Sequence, residues 1–223
     1  FKGLTMRRVS LALALTLLGA PSAMAIEEPE YEVVATTSEY EIRRYAPFIV
    51  AETEVPGEFG SAGNAAFRIL AGYIFGNNRS VTDASMMMRQ VSEPASVKMA
   101  MTAPVISTAP NTEADESHIY GFVMPAKYDM ESLPIPIDSR VTIRTLPARL
   151  VAARRYSGRW SLAKFESNET ALLDALERDG IRTQGAASFA RYDAPYVPWF
   201  MRRNEVMIEV TPQGSSTDDQ SGI

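Results

Sequence analysis

The side chains that most often carry enzyme chemistry are scarce in this chain. His118 is the single histidine among 223 residues, and the sequence contains no cysteine. One histidine excludes a metal site with two histidine ligands, and the lack of cysteine excludes thiolate ligands and disulfides. A Ser-His-Asp triad remains formally possible, but no acid–base pair stands out along the sequence. The composition therefore favours a binding protein without catalytic residues and without a metal site of its own.

The segment from Ala190 to Val210 combines proline, aromatic and charged residues. Pro195 and Pro198 forbid a central strand and hold the backbone extended. From Arg203 onward, apolar and polar residues alternate as in a half-buried strand. A soluble protein rarely leaves several aromatic side chains on a loop with nothing to cover, so this loop is predicted to cap the core or to line a site. The aromatic residues of the loop are Tyr196, Trp199 and Phe200.

The charged run Arg202-Arg-Asn-Glu205 follows directly after this loop. Such a cluster at the start of a strand more often ties a loop to a sheet than it performs chemistry. Arg203 and Glu205 share one strand face and can pair with neighbours across strands. We assign these four residues a structural role.

Four motifs follow one another along the chain. They are Tyr40-Glu-Ile-Arg-Arg-Tyr45, Tyr73-Ile-Phe-Gly-Asn77, Met101-Thr-Ala-Pro-Val105, and Ala190-Arg-Tyr-Asp-Ala-Pro195 followed by Arg202-Arg-Asn-Glu-Val206. These motifs, in this order, resemble those of the SOUL haem-binding proteins, and the resemblance extends over about residues 29–210. It implies a distorted antiparallel barrel with two helices packed outside, and non-covalent binding of haem or a related tetrapyrrole.

The same resemblance implies a ligand groove between the first helix and the proline-rich loop. A planar tetrapyrrole needs a flat shelf, an apolar cover and a cation near its propionates. Members of the family carry basic residues at the positions of Asn64 and Gly72, so Arg68 is the cation that this helix offers instead. Alternatively, the small residues of the helix only dock it against another element. The predicted groove residues are Phe67, Arg68, Ala71, Gly72, Tyr196 and Trp199.

Histidine and methionine are the residues that could ligate haem iron in this chain. His118 matches no haem-ligating position in the family, and its place at a strand start favours a peripheral residue. Met99 and Met101 share a strand face, which favours core packing. The triplet Met86–Met88 lies in a connection that is longer than usual for the family. It is interpreted either as an exposed, adaptable patch or as a buried helical turn.

The first 25 residues are predicted to be a signal peptide, because a basic start precedes a short apolar run and the small-residue site Ala23-Met-Ala25. The apolar run is too short to span a bilayer, and no later segment approaches the length required. Removing residues 1–25 takes away three basic residues and no acidic ones, which changes the formal net charge from −5 to −8. We expect an exported domain over 26–210, periplasmic in a Gram-negative bacterium and otherwise secreted, followed by a disordered tail over 211–223. Nucleic acid and a stable membrane anchor are not expected.

Residues 42–59 align without gaps on residues 143–160, and both copies contain an alternating strand followed by a glycine and an aromatic residue. The repeat predicts two half-domains, each with a hairpin, a helix and further strands. The helices are predicted from about Glu58 to Ile74 and from Ser161 to Gly180. The fold class is therefore α+β, a distorted antiparallel β-barrel of two pseudo-symmetric halves, each with one packed helix. Other strands are predicted at Tyr31–Thr36, Val97–Ser107, His118–Met124 and Val141–Arg144.

The leading functional hypothesis is a haem carrier or buffer that performs no catalysis. One alternative is an enzyme acting on a small planar or amphipathic ligand. Another is a protein-interaction module that uses the aromatic loop and the methionine triplet as an apolar patch.

Overall fold

The computed structural model describes residues 26–81, 95–108 and 117–211. The predicted signal peptide, the triplet Met86–Met88 and the tail from residue 212 onward lie outside the described residues. The helices and strands are β1 Tyr31–Thr36, β2 Glu41–Tyr45, β3 Phe48–Pro56, α1 Phe59–Ile74, β4 Asn78–Arg79, β5 Val105–Thr108, β6 Ser117–Val123, β7 Ile135–Pro136, β8 Thr142–Leu146, β9 Arg149–Tyr156, α2 Leu162–Arg178, β10 Thr183–Arg191, a 3-10 turn Trp199–Met201, and β11 Asn204–Val210.

Nine of these strands form one sheet in the order β1-β2-β9-β11-β10-β5-β6-β3-β8. Every strand pair in this sheet is antiparallel. The sheet curls into a half-barrel, and both helices pack on the same face. Helix α1 lies against β3 and β6, and α2 lies against β9, β10 and β11. The α+β class and the antiparallel barrel-like sheet predicted from the sequence are confirmed.

The two halves repeat in the structure at the spacing found in the sequence. Strands β2 and β3 and helix α1 correspond to β8, β9 and α2, and the strand starts are separated by 101 residues in each case. Consecutive strands β1 and β2 form an antiparallel hairpin, whereas the repeated strands do not pair within their own half. Strand β2 pairs with β9 and β3 pairs with β8, so each half gives its first strand to the other half. In the strand order, β2 and β8 as well as β9 and β3 are therefore equivalent positions on either side of the β5–β10 pair, so the pseudo-twofold axis that relates the halves lies between β5 and β10.

The helices follow from their sequence patterns with two corrections. In α1, Ala62, Ala66, Leu70 and Tyr73 recur at helical spacing and are buried against the sheet. Helical spacing also favours Phe67 for this buried stripe, but its side chain is 43% exposed because it lies at the edge of the contact between helix and sheet.

Helix α2 begins at the predicted N-cap, where the Ser161 hydroxyl accepts a hydrogen bond from the backbone N–H of Lys164 at 3.4 Å. Helical spacing favours an inward position for Leu162 in the first turn, but this side chain is exposed. The first turn of α2 therefore reaches beyond the sheet, while Phe165 and Leu172 further along are buried.

The predicted strand Val97–Ser107 joins the sheet only from Val105 onward. The start of the predicted segment instead contacts the end of α1. Asn78 is buried and bridges the two segments, because its amide donates to the carbonyls of Tyr73 and Val97 at 2.7 and 2.8 Å. The backbone N–H of Met99 donates to the carbonyl of Ile74 at 2.9 Å. Among the described residues, no helix is long and apolar enough to cross a membrane.

Candidate functional site

A cavity of about 390 Å³ lies between α1 and the loop that follows β10. We call it the α1 cavity. Its roof combines one face of α1 with the loop, and its floor is the helix-covered face of the sheet. The side chains around it are mostly apolar. The α1 side is formed by Gly63, Asn64 and Phe67, and the loop side by Ala194, Pro195 and Tyr196.

Aromatic packing sets the shape of the floor. Phe67 meets Phe122 of β6 edge to face, with ring centroids 5.5 Å apart. Tyr120, two residues earlier on the same strand, donates a hydrogen bond to the Phe59 carbonyl at 2.7 Å and so ties the start of α1 to the sheet. Burial raises the pKa of Tyr120, so this hydroxyl stays protonated at neutral pH. Met101 and Val105 complete the apolar floor.

Arg202 holds the loop over the cavity. Its guanidinium donates to the carbonyls of Val197 and Pro195 at 2.8 and 2.6 Å. The same group stacks on Trp160, with the central carbon 4.2 Å from the ring centroid. Trp160 is fixed in turn by a 2.9 Å hydrogen bond from its indole N–H to Asn204. The loop has few backbone bonds of its own, such as the one from Val197 N–H to the Ala194 carbonyl at 3.0 Å, so this arginine adds donors for two further loop carbonyls.

Glu205 is the centre of a buried network beneath the loop. Its carboxylate accepts from Arg43 at 2.6 and 3.1 Å, from Arg203 at 3.0 Å and from the Tyr192 hydroxyl at 2.7 Å. Burial alone would raise the pKa of Glu205, but the hydrogen bonds and charge of Arg43, with the charge of Arg203, lower it overall. Arg203 also binds Glu28. The charged run after the loop therefore supports the cavity wall and does not enter it.

Among the residues that the structure describes, Arg191 is the one arginine in the wall of the α1 cavity. It is the last residue of β10, where Ala187, Phe189 and Arg191 alternate onto the helix-covered face. Its Nε is buried and has no hydrogen-bond partner. Burial lowers the pKa of Arg191, and the neighbouring Tyr120 hydroxyl offsets only part of this effect.

The six predicted groove residues do not all meet at the cavity. Phe67 and Tyr196 line it. Arg68 is exposed outside the wall and donates to its own helix at the Asn64 carbonyl, 3.2 Å away. Ala71 and Trp199 lie outside the cavity for different reasons. Ala71 is buried in the core, while Trp199 is half exposed and its ring is covered by the guanidinium of Arg159.

Gly72 also lies outside the wall of the cavity. The wall residues absent from the sequence prediction include Arg191, Tyr120 and Trp160. Strand alternation through Ala187 and Phe189 marks the face on which Arg191 lies, and the repeat pairs Trp160 with Phe59. The strand alternation and the repeat could therefore have identified Arg191 and Trp160 as residues of the cavity wall.

His118 lies outside the α1 cavity, on the other side of Phe59. The two rings meet edge to face, with centroids 5.7 Å apart. A second and more open depression is found there, with Gly57 and Trp160 on its rim. Among the described residues, no cluster of three or more histidine, aspartate and glutamate side chains could hold a metal ion.

Comparison with known proteins identifies the family. The family model described as "SOUL heme-binding protein" matches residues 26–209, which is most of the chain. The chain belongs to this family. The match confirms the family predicted from the four sequence motifs. A comparison with curated proteins finds no match.

Solved structures share the fold at low sequence identity. The C-terminal domain of EcmrR is 10% identical with a TM-score of 0.52, and the match covers 81% of this chain and 98% of that one. A structure titled as a hydrolase from Listeria innocua is 11% identical with a TM-score of 0.50, covering 80% of this chain and 94% of that one. EcmrR in its DNA complex also matches, at 10% identity and a TM-score of 0.52, over 77% of this chain and 57% of that chain. At these identities, the likeness concerns the fold alone.

Proposed function

We propose that the protein binds haem or a related tetrapyrrole non-covalently in the α1 cavity, as a carrier or buffer and not as an enzyme. Membership of the SOUL family is the observation that carries this proposal. The haem would be cargo and would bring its own iron chemistry. The residues of this chain would enclose its apolar rings and fix their orientation.

The residues around the α1 cavity suit such a ligand. Its volume of about 390 Å³ falls in the range of small-molecule sites. Phe67 and Phe122 offer ring surfaces on one side, and the stiff loop with Tyr196 covers the other. Tyr196 is 88% exposed, so it is free to close on a ligand without losing core contacts. Arg191 supplies a positive charge at the floor for a propionate.

Iron ligation is not required for this mode of binding. The single histidine lies outside the cavity, and the thioether of Met101 is the softest donor in the wall. We therefore expect the ligand to be held chiefly by apolar contact and by its carboxylates. The absence of a nucleophile paired with a base among the described wall residues favours binding over catalysis.

Export is a further part of the proposal, supported by the N-terminal sequence pattern. Mass spectrometry of the protein isolated from its source cells would show a mature N-terminus at Ile26 if residues 1–25 are removed. Retention of these residues would refute this part.

The test is a haemin titration followed at the Soret band, with two matched phenylalanine variants. Phe67 lines the cavity, and Phe75 at the end of the same helix is exposed outside it. We expect saturable one-to-one binding in the unchanged protein. Phe67→Ser should weaken it by about tenfold, because one large apolar contact of roughly 1.5 kcal/mol is lost. Phe75→Ser should leave it unchanged. Equal effects of both substitutions, or no saturable binding, would refute the proposal.

A protein-interaction surface is the second candidate. Trp199, Phe200 and Met201 are all about half exposed or more and adjoin one another on the short turn. Exposed aromatic clusters of this kind mark contact sites on many proteins. Replacing all three by serine should abolish binding of a partner while leaving haemin affinity intact. Loss of haemin binding in this variant would instead assign the turn to the ligand site.

A further inference from the structure

Arg191 occupies an unusual environment at the floor of the α1 cavity. Its central guanidinium carbon lies 5.3–5.8 Å from the centroids of four aromatic rings. These rings belong to Phe59, Tyr120, Trp160 and Phe189. Phe59 begins α1 and Trp160 shortly precedes α2, so the cation stands where the two pseudo-symmetric halves meet.

The charge of Arg191 is not balanced by a carboxylate of the described residues. The groups that act on it electrostatically are the hydroxyls of Tyr120 and Tyr156. Asp193 is the one carboxylate among the described residues of the cavity wall, and it accepts a hydrogen bond from the backbone N–H of Arg203. By contrast, Arg43 and Arg203 are paired with Glu205 and other glutamates. Arg191 therefore differs from the structural arginines of the same region.

Arg191 is partly buried with its Nε fully enclosed, and leaving a cation in this state is costly. A buried charge that lacks an opposite charge loses hydration without recovering it, and a buried donor without an acceptor adds to that cost. The surrounding rings recover part of it through cation–π attraction. The ring faces cannot accept a hydrogen bond in the way that a carboxylate does, and the Tyr120 hydroxyl beside Arg191 is a neutral, weaker acceptor. The planar guanidinium thus retains donors for a partner that enters from the cavity.

We propose that Arg191 anchors a carboxylate of the ligand, so that the α1 cavity prefers acidic, mostly apolar planar molecules to their neutral counterparts. The inference rests on the proposed function, since it needs a ligand in this cavity. The planar fork of arginine matches a carboxylate with two parallel hydrogen bonds. The apolar surroundings strengthen those bonds, because water is displaced from them.

The test compares protoporphyrin IX, which carries two propionates, with its dimethyl ester, which has the same ring and no charge. Porphyrin fluorescence reports binding of each compound at one fixed low concentration of non-ionic detergent. The purified proteins are the unchanged chain, Arg191→Met, Arg191→Lys and the control Arg68→Met. Arg68 is a suitable control because it is exposed and bonds only to its own helix among the described residues.

The unchanged protein should bind the acid at least about tenfold more tightly than the ester. Arg191→Met should remove this preference by weakening binding of the acid alone, while Arg191→Lys should keep part of it because the charge stays and the fork is lost. Arg68→Met should behave like the unchanged protein. Equal affinity of the unchanged protein for both compounds, or a preference that survives in Arg191→Met, would overturn the inference.

Two other results are distinguishable from these. If neither porphyrin binds the unchanged protein, the proposed function fails and the inference fails with it. If Arg191→Met does not fold, Arg191→Lys decides the question. An unequal loss, larger for the acid than for the ester, would support the anchor, and an equal loss would overturn it.

Discussion

Replacing Glu205 by glutamine should destabilise the protein strongly, because this buried carboxylate forms ion pairs with two arginines. The side chain is fully buried and accepts four hydrogen bonds, from Arg43, Arg203 and Tyr192. Glutamine has the same volume but no charge. Its NH₂ group is a hydrogen-bond donor, so it cannot accept a hydrogen bond from an arginine as the lost carboxylate oxygen did. Breaking one side of a buried ion pair costs about 3–5 kcal/mol. We expect a loss of this size at pH 7.

The contribution of Glu205 to stability should depend on pH in a defined direction. The pKa of Glu205 lies below its ordinary value in the folded protein, so its contribution to stability is fully present above the unfolded pKa of about 4.3. That contribution is lost as pH falls through the lower folded pKa. The difference between the unchanged protein and Glu205→Gln should therefore shrink in acid, where both carry a neutral side chain.

Urea unfolding followed by circular dichroism at pH 7 and at several acidic pH values measures the effect. The control is Glu32→Gln, because Glu32 forms an exposed ion pair with Arg44. Exposed pairs contribute at most about 1 kcal/mol. A loss below about 1 kcal/mol for Glu205→Gln at pH 7, or a difference that grows in acid, would refute the reasoning.

Three further predictions concern single side chains. His118→Ala should leave the Soret maximum and the haemin affinity nearly unchanged, since His118 lies outside the α1 cavity; loss of a low-spin spectrum would show that it ligates the iron. Arg202→Met should weaken haemin binding by about tenfold with little change in the melting temperature, because it frees the loop carbonyls at Pro195 and Val197; unchanged affinity would mean that the loop orders itself. Leu70→Ala should lower the free energy of unfolding by about 2–5 kcal/mol, since this side chain is fully buried; chemical denaturation showing less than about 1 kcal/mol would contradict the assigned core.

Much of the fold could be predicted from the sequence because helix and strand periodicity are local signals. The spacing of Ala62, Ala66 and Leu70 defines the buried stripe of α1, and Ser161 marks the start of α2. The exchange of first strands between the halves could not be predicted. Alternation along β2 and β3 is satisfied equally by a hairpin and by pairing with β8 and β9, so it does not choose between these partners.

The candidate site was predicted only in part because a cavity wall depends on long-range packing. Helical spacing alone favours a buried position for Phe67. Only the packed structure shows that the sheet does not cover this side of α1, so that Phe67 lies at the edge of the contact. Trp199 was expected to cover the ligand, yet Trp160 occupies the wall, because Arg202 and Asn204 fix it there. Arg191 belongs to a sequence motif, but its isolation from carboxylates becomes visible only when the two halves are assembled.

The most direct test of ligand binding in the α1 cavity is methyl NMR of the methionines with zinc protoporphyrin as a diamagnetic ligand. Met101 lines the cavity, whereas Met124 is buried in the core outside it and Met201 is exposed on the short turn. With the Met101 signal assigned by Met101→Leu, the account predicts a large ring-current shift of this methyl at saturation and small shifts for the other two. An unshifted Met101 together with a strongly shifted Met201 would contradict it and would place the ligand on the outer loop.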